Sequence, residues 1–139
     1  MTPEQIRLVQ DSWKRIQPEA RSFAGLFYSR LFALDPSVRP LFKTGLEEQG
    51  RKVMSMITIA VASLTRLDSI VPAVQDLGRR HAGYGVEDRH YTVVGAALVW
   101  ALEQELSHHF TAEVEQAWRA AYQVLSTTMK QAAAAKEKA

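Results

Sequence analysis

The sequence predicts an all-α protein of about seven to eight helices. Three observations carry this. Apolar residues recur at spacings of three and four in nearly every segment. No segment alternates with period two. Residues that start and stop helices recur at helix-length intervals. A chain of 139 residues with 47% apolar residues is long enough for one domain with a substantial core. No internal repeat or long linker divides it, so residues 1–139 read as a single domain.

Thr2 with Gln5 makes a capping box, and Pro3 suits the first helical position. Ile6, Val9, Trp13 and Ile16 then share one face. Pro18 can open a second helix, crowded with Phe23, Phe27, Tyr28, Leu31 and Phe32, which Asp35-Pro36 ends. Ser37 to Phe42 reads as a short helical turn containing Pro40, and Lys43-Thr44-Gly45 as a connection. A long helix is predicted from about Leu46 to Arg66, with Gln49, Val53, Met56, Ile57 and Ala60 facing inward. Asp68-Ser69 can cap the next helix, and Glu87-Asp88 begins another, with Tyr91, Val94, Leu98, Leu102 and Leu106 at helical spacing. Thr111 caps the last helix, whose first turn carries Glu113 and Glu115 where the dipole favours anions. Val114, Trp118, Tyr122, Leu125 and Met129 form its apolar side. The alanine- and lysine-rich tail 131–139 frays or extends that helix in solvent.

Composition narrows the function classes. The formal net charge is +2, with basic and acidic residues intermixed, which gives no footprint for nucleic acid. No run of about 18 uncharged apolar residues suggests membrane insertion. The start, Met1-Thr2-Pro3-Glu4-Gln5, lacks the pattern of a signal peptide, so a cytoplasmic location is expected. Zero cysteines exclude disulfides and thiolate metal sites.

The most informative stretch runs from Leu77 to Val86. Ile70, Val74, Leu77, His81 and Tyr84 share one helix face, apolar except at His81. Gly83 and Gly85 suit a left-handed helix end. A histidine on an apolar face needs a partner. By itself the pattern is also that of a core histidine bonded to a carbonyl or carboxylate. Other pieces stand in order around it: Phe27-Tyr28, Asp35-Pro36-Ser37-Val38-Arg39-Pro40-Leu41-Phe42, Gln49-Gly50-Arg51-Lys52, His90-Tyr91 and Ala117-Trp118. Together, from Trp13 to Met129, they resemble the globin family, specifically bacterial single-domain globins and the haem domain of flavohaemoglobins.

That resemblance implies a three-over-three helical sandwich around non-covalent haem b. It makes His81 the iron ligand and Phe42 a ring packed on the porphyrin. Tyr28 and Gln49 become the polar pair on the opposite, distal side, with Val53 an apolar residue one turn beyond. Lys52 occupies a position that reaches a haem propionate in some globins; read from the sequence alone it is equally a solvated surface lysine. Val86 becomes a haem contact beyond the helix end, and Tyr91 a residue able to approach the histidine. The Leu77 carbonyl, one turn back, is the natural acceptor for the second ring nitrogen of His81, fixing its tautomer. His90 is expected to face solvent or a propionate. His108-His109 suit a helix C-terminus and, being adjacent, do not share a face for a metal. Arg79 and Arg80 read as solvated. Trp13, Trp100 and Trp118 read as core or interface packing.

The implied chemistry is the binding of diatomic gases: dioxygen, nitric oxide or carbon monoxide. Dioxygen gains partial negative charge when held, so Tyr28 and Gln49 would stabilise it as donors. At about 0.5–1.5 kcal/mol per hydrogen bond, two donors slow release by roughly one to two powers of ten. Relatives of the flavohaemoglobin type often add a glutamate from the last helix, favouring peroxidase-like chemistry. Here that region is Lys130-Gln131-Ala132-Ala133, without one, which favours an ordinary neutral histidine. The first expectation is therefore an oxygen-binding globin of high affinity. The second is a nitric oxide dioxygenase; no Gly-rich dinucleotide fingerprint occurs, so turnover would need an external reductase. A gas sensor is a third, and a monomer or weak homodimer is expected throughout.

Overall fold

The computed structural model describes residues 1–41, 45–83 and 85–138, with side chains throughout except at 46 and 135–138. The candidate haem contact Phe42, with Lys43, Thr44, Tyr84 and Ala139, lies outside the described residues. The described chain is all-α: α1 Pro3–Ile16, α2 Ala20–Leu34, α3 Leu46–Ala62, α4 Leu67–Gly83, α5 Asp88–Leu106 and α6 Ala112–Lys138. Four short 3₁₀ segments join them, at Gln17–Glu19, Pro36–Leu41, Leu64–Arg66 and Ser107–His109.

Local chemistry sets many of the ends. Thr2 and Gln5 close the capping box of α1 with bonds of 3.0 and 3.1 Å. Thr111 Oγ1 accepts from Val114 N at 3.2 Å at the start of α6. Asp35 ends α2, its amide donating to Leu31 O, and its carboxylate turns the chain by accepting from Ser37 N at 3.1 Å. The tail continues α6 as helix to Lys138, and Ala132 is buried.

The core lies among α1, α2, α5 and α6. Trp13, Phe23, Ile16, Leu31, Leu102 and Val9 are its largest fully buried side chains. Trp13 meets Phe23 edge-on at 5.5 Å and Trp118 at 5.8 Å. Both indoles are satisfied: Trp118 Nε1 donates to Ser12 Oγ at 2.8 Å, and Trp13 Nε1 to Thr58 Oγ1 at 3.0 Å. Trp100, the third tryptophan, is half-buried under the Arg30 guanidinium, 5.2 Å away.

The structure differs from four expectations. Met56 points outward and is 41% exposed. The rotation of α3 is set from a distance, by the Trp13–Thr58 bond and by Gln10 Nε2 donating to Val61 O at 3.1 Å. Two residues of helix turn about 200°, so a Thr58 facing α1 sends Met56 away; Gly50, Met54 and Val61 are buried instead. The long helix also stops at Ala62, where the Ser63 amide is shared between Ile59 O and Ala60 O. A 3₁₀ turn then runs directly into α4 at Leu67, so Asp68-Ser69 has no free helix end to cap; Ser69 Oγ donates back to Arg66 O at 2.7 Å. Of the two surroundings expected for His90, solvent or a propionate, solvent is overturned: the residue is 5% exposed, and its Nδ1 accepts from Glu87 N at 2.8 Å, which makes it the side-chain cap of α5.

Among the described residues no single helix is long and apolar enough to cross a membrane.

Candidate functional site: a half-buried histidine on α4 opposite a glycine crossing

Helix α4 packs on α6 through its glycine side. A Cβ at Gly78 would sit 2.4 Å from Met129 O, so the two backbones touch there. Gly78 is the only buried position among the described residues of α4. Turning Gly78 towards α6 leaves Ile70, Val74, Leu77 and His81 half-buried on another face.

His81 is held at both its ring and its backbone. Its Nδ1–H donates to Leu77 O at 2.8 Å. Gly85 N donates to Ala82 O at 3.1 Å and Val86 N to His81 O at 3.0 Å, the paired bonds of a Schellman helix end. Gly85 supplies the left-handed residue, with φ of 92°. A carbonyl can only accept, so Nδ1 carries the proton and the neutral ring keeps its lone pair on Nε2. Burial holds the His81 pKa below the ordinary 6.5, and Arg80 adds to that, against the opposing effect of the Leu77 bond. The Schellman turn also fixes Val86, which is half-buried, and brings Gly85 beside Leu41 of the 36–41 segment: a Cβ there would lie 3.8 Å from Leu41 Cδ2.

A second glycine crossing organises the polar pair. Where α2 meets α3, a Cβ on Gly50 would lie 3.3 Å from Ala24 Cβ and 3.9 Å from Tyr28 Cε2. Tyr28 thus sits against the first turns of α3, which carry Gln49 and Val53, both half-buried. The Tyr28 ring stacks on Phe32 and meets Phe27 edge-on, 5.9 and 5.2 Å between centroids. Burial pushes the phenol up to about 12, so it stays protonated and keeps a proton to donate.

Lys52 and Tyr91 stand apart from these groups in their contacts. Lys52 is exposed and pairs with Glu48, 3.7 Å away on the same helix. Tyr91 is buried, its carbonyl accepts from Tyr122 OH at 2.6 Å, and Lys130 Nζ lies 5.6 Å above its ring, so these contacts run to α6. His108 and His109 touch ring to ring at 4.1 Å in the exposed turn before α6, with Arg15 Nη1 3.4 Å from His109. Among the described residues no three His, Asp or Glu side chains converge as a metal site. Gly78, Ala24 and the structural role of Gly50 were not read from the sequence. Their only signal is a small residue on a helix face, which is common and acquires meaning only when two helices cross there.

The globin family profile matches residues 25–129, and the chain belongs to the globin family. A flavohemoprotein of Bacillus subtilis is 27% identical over 124 residues, covering 87% of this chain and 31% of its own length. The chain thus spans about a third of that relative. Neuroglobin of Tetraodon nigroviridis is 30% identical over 136 residues, covering 88% of this chain and 86% of its own. The solved structure of an engineered carbene transferase, a putative nitric oxide dioxygenase from Rhodothermus marinus, matches with a TM-score of 0.88 at 25% identity, over 99% of this chain and 96% of that one. Membership of this family implies haem binding. The donor set fits that group: a porphyrin brings four nitrogens of its own, and the protein need add only one neutral imidazole with a free Nε2 beside apolar side chains.

Proposed function

We propose that this chain is a haem b globin that binds dioxygen with high affinity. The observation that carries the reading is the Nδ1–Leu77 bond, which commits one nitrogen of a half-buried histidine and leaves Nε2 as the ligand atom. His81 is assigned as the iron ligand and the Leu77 carbonyl as the group that fixes its tautomer. Val53, Val86 and Phe42 would supply apolar contact to the porphyrin, Lys52 would exchange Glu48 for a propionate, and Tyr91 would approach from the side of α5. When bound, haem would supply an iron that takes up a diatomic gas. Tyr28 and Gln49 would be the donors to that gas: burial keeps the phenol protonated, and an amide needs no proton to be set for it.

Haem titration tests the first step. The purified protein should take up haem and show a strong Soret band, and His81→Ala should lose or greatly weaken it. A chain that takes up no added haem overturns the assignment. For the second step, Tyr28→Phe should speed oxygen release by about tenfold, the effect of roughly 1.4 kcal/mol; an unchanged off-rate removes Tyr28 from the distal side.

A second reading, nitric oxide dioxygenase served by an external reductase, draws support from the names of two relatives: the flavohemoprotein and the putative nitric oxide dioxygenase. Both readings use the same residues. They separate on sustained turnover: repeated nitric oxide consumption in the presence of a reductase supports the enzyme, and a single stoichiometric oxidation supports the carrier.

A further inference from the structure

The outer face of α6 has no assigned role, and its chemistry is unusual for this chain. Charged residues make up 23% of the sequence, yet none falls between Ala120 and Met129. The outward positions Gln116, Ala120, Gln123, Val124 and Thr127 are uncharged, and Val124 is 37% exposed. Arg119, at the edge, is paired with Glu115 at 3.0 Å. Loss of charge from the centre of an exposed face is the compositional mark of an interface.

The shape says what kind. An open groove of about 460 Å³ runs along one side of this face, bordered by Met1 and Gln5. Another open groove, of about 320 Å³, runs along the other side, bordered by Thr92 and Ala96 of α5. Gln123 lines both. One surface therefore holds a ridge with a groove on each flank. Ridges pack into grooves, and a two-fold contact requires a surface complementary to itself.

We propose that this face joins two copies of the chain, with their α6 helices antiparallel about a two-fold axis level with Ala121 and Tyr122. The charges at its ends choose the occupant and its direction. Glu113 lies at the N-terminal end and Lys130 at the C-terminal end of the uncharged stretch. Antiparallel pairing sets Glu113 of each copy level with Lys130 of the other, two opposite-charge pairs; parallel pairing sets like charges together. A net charge of +2 raises little repulsion between copies. The ridge from Glu113 to Lys130 is about 25 Å long. With α1 and α5 beside it, it covers roughly 600 Å² per copy, at the small end of stable interfaces. The dimer is accordingly weak and concentration-dependent.

Sedimentation velocity on the full chain, from about 1 μM to about 500 μM, reads this directly, the upper end reaching affinities of roughly 4–5 kcal/mol. The expected result is a monomer–dimer equilibrium. Val124→Arg, which sets two cations near the axis, should raise the dimer Kd at least about tenfold. Ile59→Arg, on the exposed side of α3, should leave it within about twofold. Glu113→Lys should weaken the dimer, and adding Lys130→Glu should restore it, a recovery that no effect on folding of the single chain would produce. A chain monomeric at the highest concentration overturns the proposal, as does a dimer indifferent to Val124→Arg. A double swap no tighter than Glu113→Lys alone overturns the antiparallel register.

Discussion

Helices α1, α2, α5 and α6 bury their apolar faces in one another, whereas α3 and α4 leave theirs half-covered. The first group holds Trp13, Phe23, Leu31 and Leu102 at 2% exposure or less. On α4 the buried position is Gly78, and Ile70, Val74, Leu77 and His81 stay partly accessible. The first arrangement is a core that stabilises itself. The second is a wall whose apolar residues gain their full stabilisation only when something covers them. Stability and function are therefore separable in this fold: they depend on different residues, and substitutions should show it.

The largest contrast is between a core indole and a wall residue. Trp13→Ala removes a side chain that packs on Phe23 and Trp118 and also removes the indole donor to Thr58 Oγ1, the bond that ties α1 to α3. It should destabilise the chain by about 3–5 kcal/mol. Val74→Ala, on the half-buried stripe, should cost less than about 1.5 kcal/mol without haem. If the stripe meets haem, the same change should weaken haem uptake more than it lowers the thermal midpoint. Equal losses of stability for both variants, measured by denaturant unfolding, would erase the distinction between core and wall.

The parts legible in the sequence are those set within one turn of helix. The Thr2–Gln5 box and the Thr111 cap each span four residues. The His81–Leu77 bond is an i to i−4 contact, whose reach the helix itself guarantees. The glycines after His81 marked the helix end because Gly85 takes the left-handed position. What the sequence left undecided is set across the fold. The rotation of α3 depends on Trp13 and Gln10, some 45 and 51 residues from their partners. His90 escaped because histidine is an uncommon cap and its short bond to Glu87 looks, in sequence, like a polar helix start. Gly78 and Gly50 are ordinary glycines until Met129 and Ala24 are brought against them.

Those two glycines sharpen the comparison, at intermediate size. Both sit at helix crossings, and replacing either with alanine gains up to about 1 kcal/mol of helix propensity. At Gly78 the new methyl would meet Met129 backbone at 2.4 Å, and backbone cannot step aside without moving α6 against α4. Gly78→Ala should therefore destabilise by about 2–3 kcal/mol net. At Gly50 the neighbour is the Ala24 methyl at 3.3 Å, where a few tenths of an ångström suffice. Gly50→Ala should stay within about 1 kcal/mol of the parent. Thermal unfolding of the pair checks this, and a Gly50 variant as damaged as the Gly78 variant would mean that the α2–α3 crossing is as rigid as the α4–α6 one.

The smallest effect tests whether Tyr28 belongs to the buried half of the molecule, as its place beside the half-buried wall of α3 requires. Its folded pKa is pushed from 10.0 up to about 12 by burial. The unfolded chain therefore gives up this proton first as pH rises from 10 towards about 12, and the folded state loses stability over that window. At pH 11 the loss attributable to Tyr28 is about 1.4 kcal/mol, the value of one pKa unit. Tyr122 is raised in the same direction by burial, with Tyr91 adding to it, so some alkaline sensitivity persists in any Tyr28 variant. Tyr28→Phe removes only the first contribution. Urea unfolding at pH 8 and pH 11, without added haem, should show the gap between the two pH values narrowing by about 1.4 kcal/mol in the variant. An unchanged gap would place the phenol in water, and a solvated Tyr28 would carry no donor into the space beside Gln49.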